Sequence, residues 1–331
     1  MRYAKLPIPS SGGASQISVL GFGCAPLMGR VGRRESLAAL AAADAAGINF
    51  FDTARSYGYG EGEALLGEFL KGRRQSVVLC TKFGILPTAA GLKQKLKPLA
   101  QAAIRAFPGL RKHARRHAGP SSSGHFSVEV LRNSFETSLR ALGTDYVDIL
   151  LLHAAPMAVL HQDDLLEALG RLVESGKVRM AGISGAHDVI AETFRRRPPV
   201  LSTAQFALNQ SCIDFVDQTR RPEAQRLLLV ANHPFGGPAG IPTLQQSIEA
   251  MRHSEQLPSE LRAKLAEADP QLNPEILLNA ILDGTGISSV LPSMVRPTNL
   301  AANVRAVEHC RFTAAELDLL RGQLGHRVQP D

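Results

Sequence analysis

The sequence predicts an α/β fold, a single (β/α)8 TIM barrel, from three features of the chain. Strand-like and helix-like segments alternate along its whole length. The strand-like segments are continuously apolar, which is typical of parallel strands buried on both faces. Eight strand–helix pairs fit within the 331 residues, and barrels of this kind commonly need about 250 residues. We therefore expect one domain over residues 1–331.

Each predicted strand is a short apolar run bounded by turn residues or charges. In chain order the eight are Ile17–Phe22, Asn49–Phe51, Val77–Cys80, Tyr146–Leu152, Met180–Ile183, Val200–Phe206, Leu227–Ala231 and Ile287–Leu291. Before them, Arg2–Ser18 is predicted to be a lead-in hairpin that closes the bottom of the barrel.

Helices are predicted between the strands from periodicity and stop signals. Arg34–Ala46 is rich in Ala and Leu and ends at Gly47, a residue that commonly terminates helices. Further helices are expected over Glu61–Leu70, from Ser127 onward, and over Asp164–Glu174. In the helix that Ser127 begins, Leu131, Phe135, Leu139 and Leu142 fall on one face of a 3.6-residue period.

Two connections are too long for simple turns, so we expect long loops after strands three and seven. They are Gly84–Phe126, whose residues 85–126 form a basic insertion, and Phe235–Asn273. Loops of this length are usually functional or disordered. The last segment, 308–331, is expected to be a C-terminal helix and tail.

Composition excludes several classes of protein. The chain is 44% hydrophobic and 20% charged, as in ordinary globular proteins. Its four cysteines form no C-x-x-C pair, which argues against zinc sites and disulfide frameworks, so no metal is expected. No apolar signal segment opens the chain, and the longest apolar stretch, Val147–Leu160, is broken by Asp, His and Pro. We expect a cytoplasmic protein that contacts no membrane.

The net charge of +7 is a local feature of the sequence. Between Phe69 and Val128 there are 12 Lys and Arg and no acid, and the rest of the chain carries 25 basic residues against 30 acidic ones. Nucleic-acid binders usually combine such a stretch with aromatic stackers or groove-reading helices. A nucleic-acid partner is therefore not expected.

Polar side chains end five consecutive predicted strands. Asp52 ends the second, Lys82 the third, His153 the fourth, Ser184 the fifth and Gln205 the sixth. The carboxyl ends of barrel strands converge on one cavity, where the catalytic residues of such barrels lie. An acid, a lysine and a histidine meeting there favour acid–base chemistry, although any one of them could be an ordinary structural contact.

The segment Gly47–Gly58 reads G-I-N-F-F-D-T-A-R-S-Y-G and resembles the aldo/keto reductase signature G-x-N-x-F-D-T-A-x-x-Y-G at every fixed position. Similar matches occur at Glu63–Gly67, at Thr81–Phe83, at Leu142–His153, at Gly176–Ser184 and from Leu291 to Asn303. Together they run from about residue 17 to 307. The resemblance implies a barrel that binds a nicotinamide dinucleotide without a Rossmann domain.

The resemblance also implies the catalytic residues. Tyr57 is expected to give the proton to a carbonyl oxygen, and Lys82, held by Asp52, to lower the pKa of that tyrosine. His153 is expected to hydrogen-bond the substrate oxygen. The alternative for Asp52 and Lys82 is a buried ion pair that serves folding alone.

Cofactor contacts are implied residue by residue. Ser184 and Gln205 would hold the nicotinamide carboxamide, although Gly185 stands where the family often has Asn, and Asn232 where it often stacks an aromatic. The segment from Phe235 to Gly240 would cradle the pyrophosphate. The full expected set is Gly23, Ser184, Gln205, Asn232, Phe235, Gly236, Gly237, Ser293, Arg296 and Asn303.

Cofactor preference depends on a single cation. Arg296 is the only basic residue between Pro292 and Asn303, and a 2′-phosphate requires Lys or Arg. The family resemblance implies NADP(H) as the first choice, with NAD(H) possible.

Three functions remain open from sequence. The first is an NAD(P)(H)-dependent oxidoreductase that interconverts small carbonyls, aldehydes, ketones or aldoses, with alcohols. The second is a cofactor-binding regulatory or interaction subunit of the same fold with little turnover. The third is a nucleic-acid binder that uses the basic insertion. The expected partner is a small-molecule carbonyl or alcohol, and the sequence does not indicate the oligomeric state.

Overall fold

The computed structural model describes residues 1–7, 13–87, 125–219, 227–267, 269 and 271–324. Its strands are β1 Tyr3–Lys5, β2 Gln16–Ser18, β3 Gly21–Gly23, β4 Phe50–Asp52, β5 Val78–Phe83, β6 Val147–His153, β7 Val178–Ser184, β8 Leu201–Ala207, β9 Leu228–Asn232 and β10 Ser289–Leu291. Its α-helices are α1 Arg33–Ala45, α2 Gly62–Phe69, α3 Val128–Leu142, α4 Asp163–Glu174, α5 His187–Arg196, α6 Phe215–Thr219, α7 Gly240–Arg252, α8 Ser259–Ala266, α9 Leu272–Leu282, α10 Pro297–Glu308 and α11 Ala314–Leu324.

Strands β3 to β10 form one parallel sheet in chain order, and its two edges meet. Leu20, just before β3, bridges Val290 of β10 in parallel. The Val290 N–H also donates to the Val19 carbonyl at 2.9 Å. Eight parallel strands with interleaved helices therefore close into the predicted (β/α)8 barrel, with each connection placing a helix outside the sheet.

The bottom of the barrel is filled by apolar side chains beneath an N-terminal hairpin. Strands β1 and β2 pair antiparallel, which confirms the predicted lead-in hairpin. Leu6 and Ile17 of this hairpin belong to the interior cluster with Phe50, Val78 and Leu228 at the first residues of their strands. The opposite, carboxyl ends of the strands are left to carry the polar side chains.

The structure differs from the expected first strand. Ile17–Phe22 is not one strand, because the chain bends between β2 and β3. The Ser18 hydroxyl donates to the Leu20 carbonyl at 2.6 Å, and the Ser18 N–H donates to the Asn49 side chain at 2.8 Å. These local bonds turn the chain, so Ile17 joins the hairpin and only Gly21–Gly23 joins the barrel.

The predicted long loop after strand seven is corrected to two helices, α7 and α8. Buried apolar residues recur at helical spacing within each helix, and they are Leu244, Ile248 and Met251 in α7 and Leu261 and Leu265 in α8. Of the predicted basic insertion, residues 88–124 lie outside the described part of the chain. The expected C-terminal helix is present as α11, and 325–331 lie outside the described residues.

Two negative findings apply to the described residues alone. None of their helices is long and apolar enough to cross a membrane. Within the same ranges, no group of three or more His, Cys, Asp or Glu side chains is arranged to hold a metal ion.

Candidate active site

The five polar residues predicted to end strands do lie side by side across the carboxyl ends of β4 to β8. Asp52, His153 and Ser184 are the last residues of β4, β6 and β7, and Lys82 is the penultimate residue of β5. His153 is in register with Ser184, and Ser184 with Gln205 of β8. The closed barrel thus brings residues that are up to 153 positions apart in sequence close together in space.

A buried ion pair lies at the centre of this cluster. The Lys82 ammonium donates to Asp52 Oδ2 at 2.7 Å and to the Thr53 carbonyl at 2.9 Å. Its third contact is the hydroxyl of Tyr57, at 3.4 Å. Lys82 is 1% and Asp52 4% exposed, so the pair acts on Tyr57 with little screening by water.

Burial and charge oppose each other at the lysine and the tyrosine. Burial alone lowers the pKa of Lys82, but the Asp52 carboxylate and other neighbours outweigh it, and the net pKa lies above the ordinary value. Burial raises the pKa of Tyr57, and Lys82 lowers it by charge and by hydrogen bonding without cancelling the rise. Lys82 therefore acts in the expected direction, while the net pKa of Tyr57 stays raised because the phenol is buried.

The turn that carries Tyr57 is held in a conformation that few residues adopt. Tyr57–Gly60 forms a short 3₁₀ turn in which Gly58 and Tyr59 both have a positive φ, of 58° and 60°. A Cβ on Gly58 would lie 2.8 Å from both the Leu27 carbonyl oxygen and Met28 Cβ, so only glycine fits there. This close approach to the β3–α1 connection fixes the turn and with it the tyrosine.

His153 lies beside the tyrosine. Together Asp52, Tyr57, Lys82 and His153 are called the acid cluster below. The His153 ring meets the Tyr57 ring edge-on, with centroids 5.8 Å apart and an interplanar angle of 84°. Burial first, and the Lys82 charge second, lower the pKa of His153 to about 4. The imidazole is therefore neutral at pH 7 and keeps one N–H to donate. Its Nδ1 is buried without a hydrogen-bond partner among the described residues.

The two residues expected to hold a carboxamide are hydrogen-bonded to the acid cluster. Gln205 Nε2 donates to Asp52 Oδ1 at 2.9 Å, and the Ser184 hydroxyl donates to Gln205 Oε1 at 2.8 Å. A continuous chain of contacts therefore runs from Ser184 through Gln205, Asp52 and Lys82 to Tyr57. Sequence reasoning assigned these residues to two separate groups and did not predict the link.

The expected pyrophosphate cradle lines a cavity of about 250 Å³ beside the strand ends. Phe235, Gly236 and Gly240 form one side, and Asn209 to Cys212, in the connection after β8, form the other. Gly236 and Gly237 have positive φ angles of 61° and 75°, and the space where a Cβ of Gly237 would stand is open. Gln210 lines the same cavity, and its Oε1 is buried without a partner among the described residues.

The remaining expected cofactor residues differ in accessibility. Gly23 ends β3, and nothing lies within 4 Å of where its Cβ would be. Asn232 ends β9, and its Oδ1 is 3.0 Å from the His233 ring. Ser293 and Arg296 are exposed before α10, and Asn303 is buried on that helix. Gly23 is in register with Asp52, whereas within the described ranges no side-chain hydrogen bond or ion pair joins Ser293, Arg296 or Asn303 to Asp52, Tyr57, Lys82 or His153.

A larger groove lies elsewhere on the surface. It measures about 700 Å³ and lies between the end of α1 and α10, lined by Ala46, Leu300 and Val304 among others. It holds none of the predicted site residues. The smaller cavity, in contrast, is lined by residues of the expected pyrophosphate cradle and by the connections that follow β8 and β9.

Comparison with known proteins identifies the family. The sequence profile of the aldo/keto reductase family matches residues 19–234. The chain belongs to that family. Its members are oxidoreductases that reduce carbonyl groups.

Relatives of the aldo/keto reductase family also match individually. L-Galactose dehydrogenase of Arabidopsis thaliana is 28% identical over 308 residues, covering 88% of this chain and 85% of that protein. A 6-dehydroglucose reductase of Agrobacterium fabrum is 35% identical over 140 residues, 42% of this chain and 40% of that one. The solved holo form of an aldo-keto reductase from Bacillus halodurans is similar in fold, with a TM-score of 0.65 at 22% identity over 98% of this chain and 96% of that one.

The aldo/keto reductase motif also contains two residues to which the sequence analysis gave no role. Glu63 is buried, accepts a hydrogen bond from the Thr81 hydroxyl at 2.6 Å, and lies 3.9 Å from Arg55. Arg55 in turn donates to the Gly60 carbonyl at 3.3 Å. Arg55 therefore connects Gly60, at the end of the Tyr57 turn, with the buried Glu63. For Glu63 the fixed position in the family's E-x-x-L-G pattern was the available signal, whereas Arg55 stands at a variable position of the signature and had none.

Proposed function

We propose that this protein is an NAD(P)(H)-dependent oxidoreductase that interconverts carbonyls and alcohols, with Tyr57 as the general acid in reduction and the general base in oxidation. The observation that carries the proposal is the Lys82 ammonium, which touches both the Asp52 carboxylate and the Tyr57 hydroxyl beside a neutral His153. The arrangement offers a proton, a fixed positive charge and a second hydrogen-bond donor at one opening of the barrel.

Each residue of the acid cluster has a role that its environment supports. Tyr57 gives its proton to the substrate oxygen, and the phenolate that forms is stabilised by Lys82 at 3.4 Å. Asp52 keeps Lys82 charged and in place. The neutral imidazole of His153 donates to the same substrate oxygen, and it orients the carbonyl without supplying the proton itself. The nicotinamide cofactor supplies the hydride, which no side chain can provide.

The residues present fit such a cofactor. Ser184 and Gln205 would hold the carboxamide, and the loop from Phe235 to Gly240, four of whose residues line the cavity, would hold the pyrophosphate with its backbone N–H groups. Arg296 is exposed at the N-cap of α10, and within the described part of the chain it forms neither a cap hydrogen bond nor an ion pair. Its guanidinium is therefore available to a 2′-phosphate, which supports NADP(H) over NAD(H).

The names of two relatives support a sugar as substrate. One is named for L-galactose and the other for 6-dehydroglucose. A hexose or its oxidised form belongs to the class of carbonyl and alcohol pairs that this site would interconvert. The alternative, a regulatory subunit with little turnover, is less well supported because the whole acid cluster is assembled.

The test is a panel of reductions followed at 340 nm with NADPH and with NADH. The panel contains a generic aldehyde, a ketone, an aldose and an enone. We expect turnover of the carbonyl compounds, faster with NADPH, and no reduction of the enone's double bond. Activity confined to the double bond contradicts the reaction type, and binding of cofactor without turnover of any compound favours the regulatory alternative.

A further inference from the structure

We propose that Asp52 is a positioning residue for the cofactor as well as for the proton donor. Through Gln205 it fixes which end of the glutamine amide faces Ser184, and so selects the orientation in which a nicotinamide carboxamide is held. This inference rests on the proposed function. It concerns the hydrogen bond between Gln205 and Asp52 Oδ1, on the side of the carboxylate away from Lys82.

The chemistry of the three groups leaves one arrangement. An ionised carboxylate accepts hydrogen bonds and cannot donate them. The Gln205 atom 2.9 Å from Asp52 Oδ1 must therefore be the amide nitrogen. The oxygen of the same amide then lies 2.8 Å from the Ser184 hydroxyl, which has to donate to it.

Burial makes this arrangement rigid. Asp52, Ser184 and Gln205 are 4%, 8% and 2% exposed. Turning the Gln205 amide over would set its oxygen against the carboxylate, with little water to replace the lost bond. An unsatisfied buried polar group of this kind is costly. Asp52 thus holds the Gln205 oxygen towards Ser184.

The fixed Gln205 amide distinguishes the two ends of a ligand's carboxamide. A carboxamide has a donor end and an acceptor end, and rotating it exchanges the two. A Gln205 oxygen that cannot turn away accepts only from the donor end of the carboxamide. The Ser184 hydroxyl, which has one hydrogen, can donate to the acceptor end once the ligand's N–H replaces it at the Gln205 oxygen. Because Gly185 adds no side chain at the next position, the choice of orientation depends on this one glutamine.

The two oxygens of Asp52 therefore have separate tasks. Oδ2 binds the ammonium that acts on Tyr57, and Oδ1 orients the amide that would receive the cofactor. Replacing Asp52 by Asn removes the second restriction, because an Asn amide can either accept from Gln205 or donate to it. In D52N the Gln205 amide is free to turn. Neither orientation of the nicotinamide carboxamide is then favoured by a fixed Gln205 oxygen, so the cofactor should bind more weakly.

The experiment compares two ligands by isothermal titration calorimetry. One is the reduced cofactor that the wild type prefers, and the other is the same nucleotide without its nicotinamide, ADP-ribose or its 2′-phosphate. We expect D52N to bind the cofactor about 5- to 20-fold more weakly, the value of one or two hydrogen bonds. The nicotinamide-free nucleotide should bind within about twofold of wild type, which also shows that the variant is folded.

A second variant separates the amide effect from the ammonium. D52N leaves Lys82 buried without its counter-charge, whereas the double variant D52N/K82M carries no charge at either position. The same selective loss in both variants supports the proposal. Wild-type cofactor affinity in either variant, or an equal loss for both ligands, overturns it. A wild type that binds neither NADPH nor NADH refutes the proposed function instead.

Discussion

Two buried aspartates lie at opposite ends of the same barrel, and they are held in different ways. Asp52 ends β4 at the carboxyl end, while Asp148 is the second residue of β6, at the amino end. Asp148 is fully buried between Arg74 at 2.9 Å and Arg179 at 2.6 Å, and it also accepts the Leu79 N–H at 2.9 Å. Asp52, among the residues that the structure describes, is paired with one cation, Lys82.

The two aspartates differ in the other groups to which their partner cations donate hydrogen bonds. Arg74 also donates to the Val77 and Tyr146 carbonyls, and Arg179 donates to the Ala14 carbonyl. Asp148, Arg74 and Arg179, called the lower cluster below, therefore connect neighbouring strands with the N-terminal hairpin. Lys82 directs its third contact to the Tyr57 hydroxyl, a group that can exchange a proton. The same chemistry therefore stabilises the fold at one end and prepares a reaction at the other, as expected for a barrel whose chemistry lies at the carboxyl ends.

The largest expected effect comes from Tyr57→Phe. The ring and its packing remain, while the proton donor is lost. We expect kcat to fall about 10²- to 10⁴-fold, the usual contribution of a general acid. Cofactor affinity and the urea midpoint should change little, because the contact with Lys82 is long. Steady-state kinetics, calorimetry and denaturation check the three quantities, and normal turnover in Tyr57→Phe would remove this tyrosine from the mechanism.

The lower cluster predicts the opposite division between stability and activity. Asp148→Asn leaves two largely buried guanidinium groups without their anion, and breaking a buried pair in this way costs about 3–5 kcal/mol. We expect the free energy of unfolding, from urea denaturation, to fall by that amount. The kcat of the protein that remains folded should stay at the wild-type value.

The comparison of the two ends would break down if the lower aspartate proved catalytic. A large fall of kcat in Asp148→Asn at unchanged unfolding free energy would show that this cluster communicates with the reaction. Arg140→Gln on the exposed face of α3 serves as the control for a surface charge. It should change the unfolding free energy by less than about 0.5 kcal/mol.

The sequence alone predicted the barrel fold and the polar residues at the strand ends, for identifiable reasons. Continuous apolar runs mark parallel strands wherever they occur, and polar residues at their ends are visible without a structure. The first strand was misjudged because Ser18 bends the chain by a side-chain hydrogen bond, which an apolar pattern does not reveal. Helices α7 and α8 were not located within the connection after strand seven, which was interpreted as a long loop from its length, although Leu244, Ile248 and Met251 repeat at helical spacing.

The site was less predictable than the fold because its contacts join distant residues. The bond from Gln205 to Asp52 spans 153 positions, and only the closed barrel brings the two together. The pKa of Tyr57 was expected to fall because Lys82 is near. Burial, which no motif encodes, raises it further than Lys82 lowers it. Residues and their neighbours along the chain are readable from sequence, whereas burial is a property of the folded protein.

The smallest expected effect concerns acid stability at the upper end of the barrel. Burial and Lys82 lower the pKa of His153 from 6.5 to about 4. Above pH 6.5 the ring is neutral in both the folded and the unfolded protein, so its contribution to stability is complete. As the pH falls from 6.5 to 4 the unfolded chain takes up a proton that the folded protein refuses, and stability is lost.

Removing the imidazole should abolish this slope. His153→Phe keeps a ring of similar size against Tyr57, and it should lose less stability than wild type between pH 6.5 and 4. The difference is at most about 1.4 kcal/mol per pH unit, and less where solvent screens the exposed edge of the ring. The control is His309→Gln, an exposed imidazole beyond α10, which should keep the wild-type slope. Urea midpoints at half-unit intervals of pH measure it, and parallel curves for wild type and His153→Phe would mean that His153 titrates alike in the folded and unfolded states.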